Sequence, residues 1–215
     1  MEREQSVRPD QPRRACNDDR VSARENLERS ALRSFLDDIE IPESGFTVAQ
    51  LHEMPESRNR IELTDGALTV SPSAANPHQF MAALLMARLY EKRTDGFTVN
   101  QSVNVDLTDN TTRIPDVVIV RSGIKRNWYV GNEVVVAVEI ESPTNFRDDR
   151  TMKPKLYADA GIPHYWRIEV DPELVVVRYR LKKRAYVEVA RGPRIEVVEP
   201  FPFAIDLADL LDPDA

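Results

Sequence analysis

Cysteine is nearly absent from this chain of 215 residues, which contains Cys16 alone. A single thiol can form neither an intramolecular disulfide nor a cysteine-based zinc cluster. Long apolar runs are also missing, because the longest purely aliphatic stretch, residues 134–138, is far shorter than the roughly 18 residues of a membrane span. The first residues lack the apolar segment of a secretory signal. We therefore expect a cytoplasmic protein that does not enter a membrane.

Further absences narrow the function. The chain has a formal net charge of −7, so it lacks the overall positive charge that favours contact with nucleic-acid phosphates. A basic run at residues 178–184 reads most simply as a solvated hairpin turn. No glycine-rich phosphate loop is present, and no serine lies in a nucleophile-elbow context. Loop-based nucleotide binding and serine-nucleophile hydrolysis are therefore not indicated.

Composition divides the chain into three parts. Residues 1–25 are rich in Arg, Asp, Asn and Pro and poor in large apolar side chains, so we expect a disordered N-terminal tail. Residues 26–46 predict a short helix and a linker. Residues 47–211 carry regular apolar patterns and form the single predicted domain. Apolar residues make up 41% of the chain, which is ordinary for a globular protein.

The pattern of residues 47–211 predicts a mixed β-sheet flanked by helices, an α/β or α+β fold. Asp65-Gly66 joins two alternating runs and is a strong hairpin signal. The passage from residue 133 to residue 170 reads as strand, helix, strand, which implies one right-handed parallel crossover. The predicted elements after the helix capped by Thr47 are a hairpin over 60–71, helices from Asn76 to Asp95-Gly96 and over 149–159, and strands over 97–105, 116–120, 133–141, 164–170, 174–181 and 185–189.

Two carboxylates stand at the edges of strand-like runs. Asp116 opens one strand, and Glu139 follows five consecutive aliphatic residues in the next. A carboxylate in a strand that is buried on both faces is rare unless it is paired or bound to metal. Two acids on neighbouring strands suit Mg²⁺, and Lys153 on the following helix could hold water or offset charge on phosphorus. The set indicates phosphodiester hydrolysis, against the alternatives of an exposed Asp116, a structural salt bridge at Glu139 and a charged helix surface.

Neighbouring residues add candidates to this site. Glu141 lies two positions after Glu139, so both should share one face of the strand. Asp149, Lys153 and Tyr157 recur every four residues, with Arg150 on roughly the same helical face. Pro154 requires that the regular helix begin near Lys153 or kink there.

The roles of three further side chains remain open. Glu62 on the first hairpin strand either adds a carboxylate to the site or faces solvent. Gln101 on the third strand can face the site without being forced to do so. His78 at the start of a helix reads as a capping or surface histidine rather than a metal ligand.

An ordered set of motifs, spread over about three quarters of the chain from Thr47 to Ile205, resembles the Uma-type restriction endonuclease family of the PD-(D/E)xK nuclease superfamily. Its markers here are Ile61-Glu62-Leu63 with Asp65-Gly66, His78, Gln101, Pro115-Asp116, Val138-Glu139-Ile140 with Ser142-Pro143, Asp149-Arg150 with Lys153 and Tyr157, and Ala160-Gly161-Ile162-Pro163-His164-Tyr165-Trp166. The resemblance implies a restriction endonuclease-like sheet in which Asp116 and Glu139 bind Mg²⁺ or Mn²⁺. It also implies cleavage of a nucleic-acid backbone, with DNA as the expected substrate, and is compatible with a homodimer.

One position departs from the superfamily pattern, which places lysine two residues after the glutamate. This chain has Glu141 there, and the family's own pattern supplies Lys153 from the next helix instead. Glu141 is then either an extra ligand or a partner of Lys153 or Arg150. The departure and the acidic balance motivate a rival reading, a catalytically silent nuclease-fold module that binds a protein partner in a defence or mobile-element system. A third alternative is a metal-dependent phosphohydrolase of small phosphate esters.

Overall fold

The computed structural model describes residues 42–55, 57, 59–71, 76–142 and 146–211. The predicted tail over 1–25 and the short helix within 26–46 lie outside or at the margin of these residues, so the three-part division stays a prediction. No helix in the described part is long and apolar enough to cross a membrane.

The described residues form four helices and thirteen strands. The helices are α1 (Val48–His52), α2 (Asn76–Lys92), α3 (Phe146–Arg150) and α4 (Met152–Asp159), with short 3-10 turns at Gly131–Glu133 and Leu207–Leu210. The strands are β1 (Arg60–Thr64), β2 (Ala67–Ser71), β3 (Phe97–Gln101), β4 (Asn104–Thr108), β5 (Thr111–Arg113), β6 (Val117–Arg121), β7 (Trp128–Val130), β8 (Val134–Ile140), β9 (His164–Glu169), β10 (Val175–Lys182), β11 (Ala185–Gly192), β12 (Arg194–Val197) and β13 (Phe203–Asp206).

The central sheet has six strands in the order β11-β10-β9-β8-β6-β3. Strands β8 and β9 are parallel, and the other neighbouring pairs are antiparallel. The predicted mixed sheet and its parallel strand-helix-strand passage are therefore confirmed. A second sheet, in the order β2-β1-β5-β4-β7, contains a parallel β4–β7 pair that the sequence did not predict.

The predicted single strand over 97–105 is wrong. The chain breaks at Ser102, whose φ of 50° is in the left-handed region, and β3 and β4 join different sheets. The backbone N–H of Ser102 donates to the carbonyl of Asp116 at 3.2 Å. The break therefore turns the chain beside the strand that carries the first candidate acid.

Each face of the central sheet is covered. Alternate residues of β6 and β8, such as Ile119 and Val138, pack on α2 and the C-terminal segment. Val118 and Ala137 point the other way and pack with Tyr157 of α4 and with the second sheet. Because both faces are buried, β6 and β8 read as nearly continuous aliphatic runs.

Local signals account for the turns around these strands. Asp65 and Gly66 have φ of 48° and 85°, as a tight hairpin of this kind requires. The predicted helix over 149–159 is broken at Thr151, and Pro154 falls in the first turn of α4, where proline is tolerated. Gly161, with φ of 80°, directly follows Ala160, the C-cap of α4, as the sequence predicted.

Gly131 fixes the spacing between the start of β8 and the end of α4. A Cβ at Gly131 would lie 2.8 Å from Ala160 Cβ and 3.1 Å from its carbonyl oxygen. We therefore expect Gly131→Ala to lower the free energy of unfolding by about 1–3 kcal/mol, as for overpacking generally. Urea unfolding measures this loss, and Ala160→Gly in the same chain should recover part of it. Equal stability of wild type and Gly131→Ala would contradict the close packing.

Candidate functional site

The register of β6 and β8 places Asp116 opposite Glu139. Val117 pairs with Val138 and Val118 with Ala137, and one further step along both strands reaches the two acids. Both side chains are buried, with 4% and 1% of their surface exposed. The prediction of two acids on neighbouring strands is confirmed, and the alternative of an exposed Asp116 is wrong.

Asp116 is held by three donors. Its Oδ2 accepts from the backbone N–H of Ile140 at 2.8 Å and lies 3.1 Å from Nε2 of His78. Its Oδ1 accepts from Arg60 at 3.2 Å. Burial alone would raise the pKa of Asp116, but the hydrogen bond and charge of His78, together with Arg60, bring the pKa below its ordinary value. Asp116 is therefore a carboxylate at neutral pH.

His78 lies beside Asp116 with only 14% of its side chain exposed, so the interpretation as a surface histidine is wrong. Its Nε2 lies 2.8 Å from the carbonyl oxygen of Ile140, which can only accept, so Nε2 carries a hydrogen. Burial alone would lower the pKa of His78, but Asp116 and this carbonyl raise it overall. Nε2 of His78 therefore contacts both the Asp116 carboxylate and the Ile140 carbonyl at the end of β8.

Glu139 faces the helix that follows it. Its Oε2 lies 2.9 Å from Nζ of Lys153, and its Oε1 accepts from the hydroxyl of Tyr157 at 2.5 Å. Lys153 also pairs with Asp149 at 2.7 Å. The spacing of four residues therefore builds a buried cluster rather than a charged surface ladder.

Burial sets the charge state of this cluster. Desolvation raises the pKa of Glu139 to about 8, although Lys153 opposes that rise. Burial by itself would lower the pKa of Lys153, but Glu139 and Asp149 raise it. Lys153 is therefore a protonated donor at neutral pH rather than a base.

Glu62 does not turn to solvent. Its Oε1 accepts from the backbone N–H of Ile114 at 2.8 Å, and Arg60 donates to the carbonyl of the same residue. Glu62 and Arg60 thus clamp the segment that leads into Asp116. The contact of Arg60 with Asp116 was not predicted from the sequence. Nothing in the residues around Arg60 indicates that its side chain reaches another strand.

Glu141 pairs with two arginines and not with Lys153. Both of its carboxylate oxygens accept from Arg150 at 2.7 Å, and Arg167 lies 2.9 Å away. Of the two pairings left open, with Lys153 or with Arg150, the structure shows the one with Arg150. Arg167, which stands opposite Glu139 in the β8–β9 register, also pairs with Glu169 at 2.6 Å.

A cavity of about 290 Å³ opens beside Asp116 on the side of α2. Its lining consists of Arg60, His78, Gln79, Ala82, Gln101, Ser102 and Asp116. Gln101 is thereby brought to the site, although on the opposite face of the sheet from Glu139. Asp116 is reached through this cavity from the side of α2.

The donor set suits a hard divalent cation. Among the residues described, no group of three Asp, Glu, His or Cys side chains is arranged to hold a metal. Mg²⁺, however, usually takes only one or two carboxylates and keeps several waters. Asp116 and Glu139 provide two carboxylates, opposite each other on neighbouring strands. The residues therefore fit such an ion.

The same groups predict how stability depends on pH in the absence of metal. The pKa of Glu139 rises from 4.5 to about 8 and that of Asp149 from 3.8 to about 6, so the folded protein binds protons more tightly than the unfolded chain. The free energy of unfolding should fall, by on the order of 2–5 kcal/mol, between about pH 5 and pH 8. Urea unfolding in EDTA measures it. Glu139→Gln should flatten the profile, and an unchanged slope in that variant would contradict the assignment.

Comparison with known proteins identifies the family and the fold of the chain. The family model described as "Uma2: Putative restriction endonuclease" matches residues 48–209. A crystal structure of a "putative nuclease belonging to DUF820" from Anabaena variabilis ATCC 29413 matches with a TM-score of 0.60 and 17% identity, over 77% of this chain and 97% of that chain, which shows a shared fold. No curated protein matches this chain. With the family model covering about three quarters of its length, the chain belongs to the Uma2 family of restriction endonuclease-like proteins.

Proposed function

We propose that this protein is a metal-dependent endonuclease that hydrolyses phosphodiester bonds in nucleic acid. The observation that carries the proposal is the pair of buried carboxylates, Asp116 and Glu139, opposite each other at the ends of β6 and β8, with Lys153 on Glu139. A structural salt bridge would need one acid for one lysine. Here further acids, Asp149 and Glu62, surround the same lysine.

Asp116 and Glu139 would hold Mg²⁺ or Mn²⁺. When bound, such an ion supplies a Lewis acid for the phosphoryl oxygen and lowers the pKa of a bound water. Lys153, protonated and held between Glu139 and Asp149, orients the attacking water or stabilises negative charge that builds on the phosphate. Tyr157 fixes the second oxygen of Glu139.

Arg60 and His78 act on Asp116 rather than on the substrate in this scheme. Each donates to one of its two carboxylate oxygens, so the carboxylate cannot rotate freely. Residues that lock a ligand in this way are typical supports of metal sites. The family's description as restriction endonucleases favours DNA, and cutting both strands of a duplex favours a homodimer.

Calorimetry with Mn²⁺ and cleavage of labelled substrates test the proposal on one preparation. We expect micromolar binding, together with Mg²⁺-dependent cleavage of at least one of single-stranded DNA, duplex DNA and RNA. Cleavage of mononucleotide esters but not of polymers would mean a small-molecule phosphohydrolase. Absence of both metal binding and cleavage would mean that the acids are structural, and that the protein acts as a binding module.

A further inference from the structure

Arg113 is the exception among the buried Asp, Glu, Lys and Arg side chains of the described residues. The other seven, Asp116, Glu139, Glu141, Asp149, Lys153, Arg167 and Glu169, each have an oppositely charged partner. Arg113 is only 3% exposed and has none within the part of the chain that the structure describes. Burying an arginine without a counter-charge costs folding free energy. Arginine cannot reduce that cost by losing its proton.

The guanidinium nitrogens of Arg113 differ in their hydrogen-bond acceptors. Nη1 donates to the carbonyls of Leu63 and Thr112 at 3.0 and 3.2 Å, which anchors the group to β1 and β5. Nη2 has the thioether sulfur of Met152 at 3.6 Å, a weak acceptor, and Nε has no hydrogen-bond partner. The Nε–Nη2 edge therefore lacks an oxygen acceptor. That is an edge with which arginine can bind a phosphate through two parallel hydrogen bonds.

Met152 covers this edge. Its side chain is 47% exposed while Arg113 beneath it is buried, so Met152 lies between the guanidinium and solvent. Methionine is unbranched and turns about three side-chain bonds, so it can move aside without disturbing the backbone. Met152 is also the first residue of α4, next to Lys153.

The position of Arg113 relates it to the proposed site. It ends β5 three residues before Asp116, a reach of about 10 Å along an extended chain. Its cover, Met152, adjoins the lysine that touches Glu139. An anion on Arg113 would therefore lie near the two carboxylates without being the group between them.

We propose that Arg113 is a phosphate-binding residue, which takes a backbone phosphate next to the bond that is cut once the Met152 side chain moves aside. This inference rests on the proposed function for the identity of its ligand. The substrate phosphate supplies the counter-charge that no described residue provides. Before the phosphate binds, the sulfur of Met152 contacts Nη2 on the Nε–Nη2 edge of Arg113.

Salt-dependent binding of a labelled oligonucleotide in EDTA, where no cleavage occurs, tests the inference. Arg113→Gln should weaken binding about tenfold and reduce the slope of log affinity against log salt by about one, as for loss of one phosphate contact. Arg113→Lys should keep the slope. Arg121→Gln, the same charge change at the far end of β6, is the matched control and should keep the wild-type slope.

Met152 gives a second test that does not remove the buried arginine. Met152→Ala uncovers the edge and should tighten binding two- to threefold, whereas Met152→Phe should weaken it. If Arg113→Gln does not fold, these two variants decide, and equal affinities for both would overturn the inference. So would a folded Arg113→Gln with the wild-type slope, which would leave Arg113 as a tether between β1 and β5.

A small anion separates this inference from the proposed function. Pyrophosphate should raise the melting temperature of the wild type but not of Arg113→Gln. A shift without any binding of nucleic acid would support an anion site at Arg113 and refute the proposed substrate. Cleavage that is unaffected in Arg113→Gln would overturn the inference while the nuclease proposal stands.

Discussion

Glu139→Ala should abolish Mn²⁺ binding and lower the rate of cleavage by on the order of 10³-fold or more. Glu139 is buried and stands opposite Asp116, so the variant removes one of the two carboxylates proposed to hold the ion. The variant also leaves Lys153 paired with Asp149 alone. Calorimetry on wild type and variant, with cleavage from the same preparations, measures both losses.

Glu141→Gln is the matched control for this experiment. It removes a carboxylate two residues further on, but that carboxylate is committed to Arg150 and Arg167. We expect it to keep metal binding and to lose stability instead, because Arg150 and Arg167 each lose one of their two carboxylate partners and keep only Glu169. Thermal melting of both variants shows that they are folded at the assay temperature. Retention of Mn²⁺ binding in Glu139→Ala would refute the assignment of Glu139 as a ligand.

The sequence predicted those site residues that differ clearly from their immediate neighbours in the chain. Glu139 stands out because a charge directly follows an aliphatic run, and Lys153 and Tyr157 follow from helical spacing alone. The central sheet could be predicted for the same reason, since its strands are long, apolar and separated by clear turn signals. These features depend on residues close in sequence.

Arg60, His78 and Arg113 could not be assigned in this way, because their roles depend on contacts across elements. Arg60 lies 56 residues from Asp116, and His78 lies 62 residues from the carbonyl that it binds. The C-terminal hairpin of β12 and β13 was also missed. Its strands have four residues each, too few for a period-two pattern to stand out.

Glu141 stands where the PD-(D/E)xK pattern that the sequence resembles has a lysine, and in this structure the amino group that contacts Glu139 comes from Lys153 of α4 instead. Arg150 and Arg167 neutralise the acid at position 141. A lysine at both positions would place two like charges beside Glu139, so an acid at position 141 is compatible with a lysine at position 153.

Lys153→Met should lower the rate of cleavage by about 10²-fold or more while metal binding is kept or strengthened. The methionine retains most of the side-chain length but removes the donor from Glu139 and Asp149. Without that positive charge, the carboxylates attract a divalent cation more strongly, so binding and catalysis should move in opposite directions. Calorimetry and cleavage at saturating Mg²⁺ measure the two effects.

The separation of binding from catalysis distinguishes a catalytic lysine from a structural one. A purely structural Lys153 would lose metal binding and activity together as the variant unfolds, because two buried acids lose their partner at a cost of about 3–5 kcal/mol. Bound Mn²⁺ would offset part of that cost, so the melting temperature of Lys153→Met should rise more on adding metal than that of the wild type. Lys155→Met, an exposed change of the same kind on α4, should behave as wild type. If Lys153→Met cleaves normally with metal bound, Lys153 has no catalytic role, and the positive charge near the scissile phosphate must come from another residue.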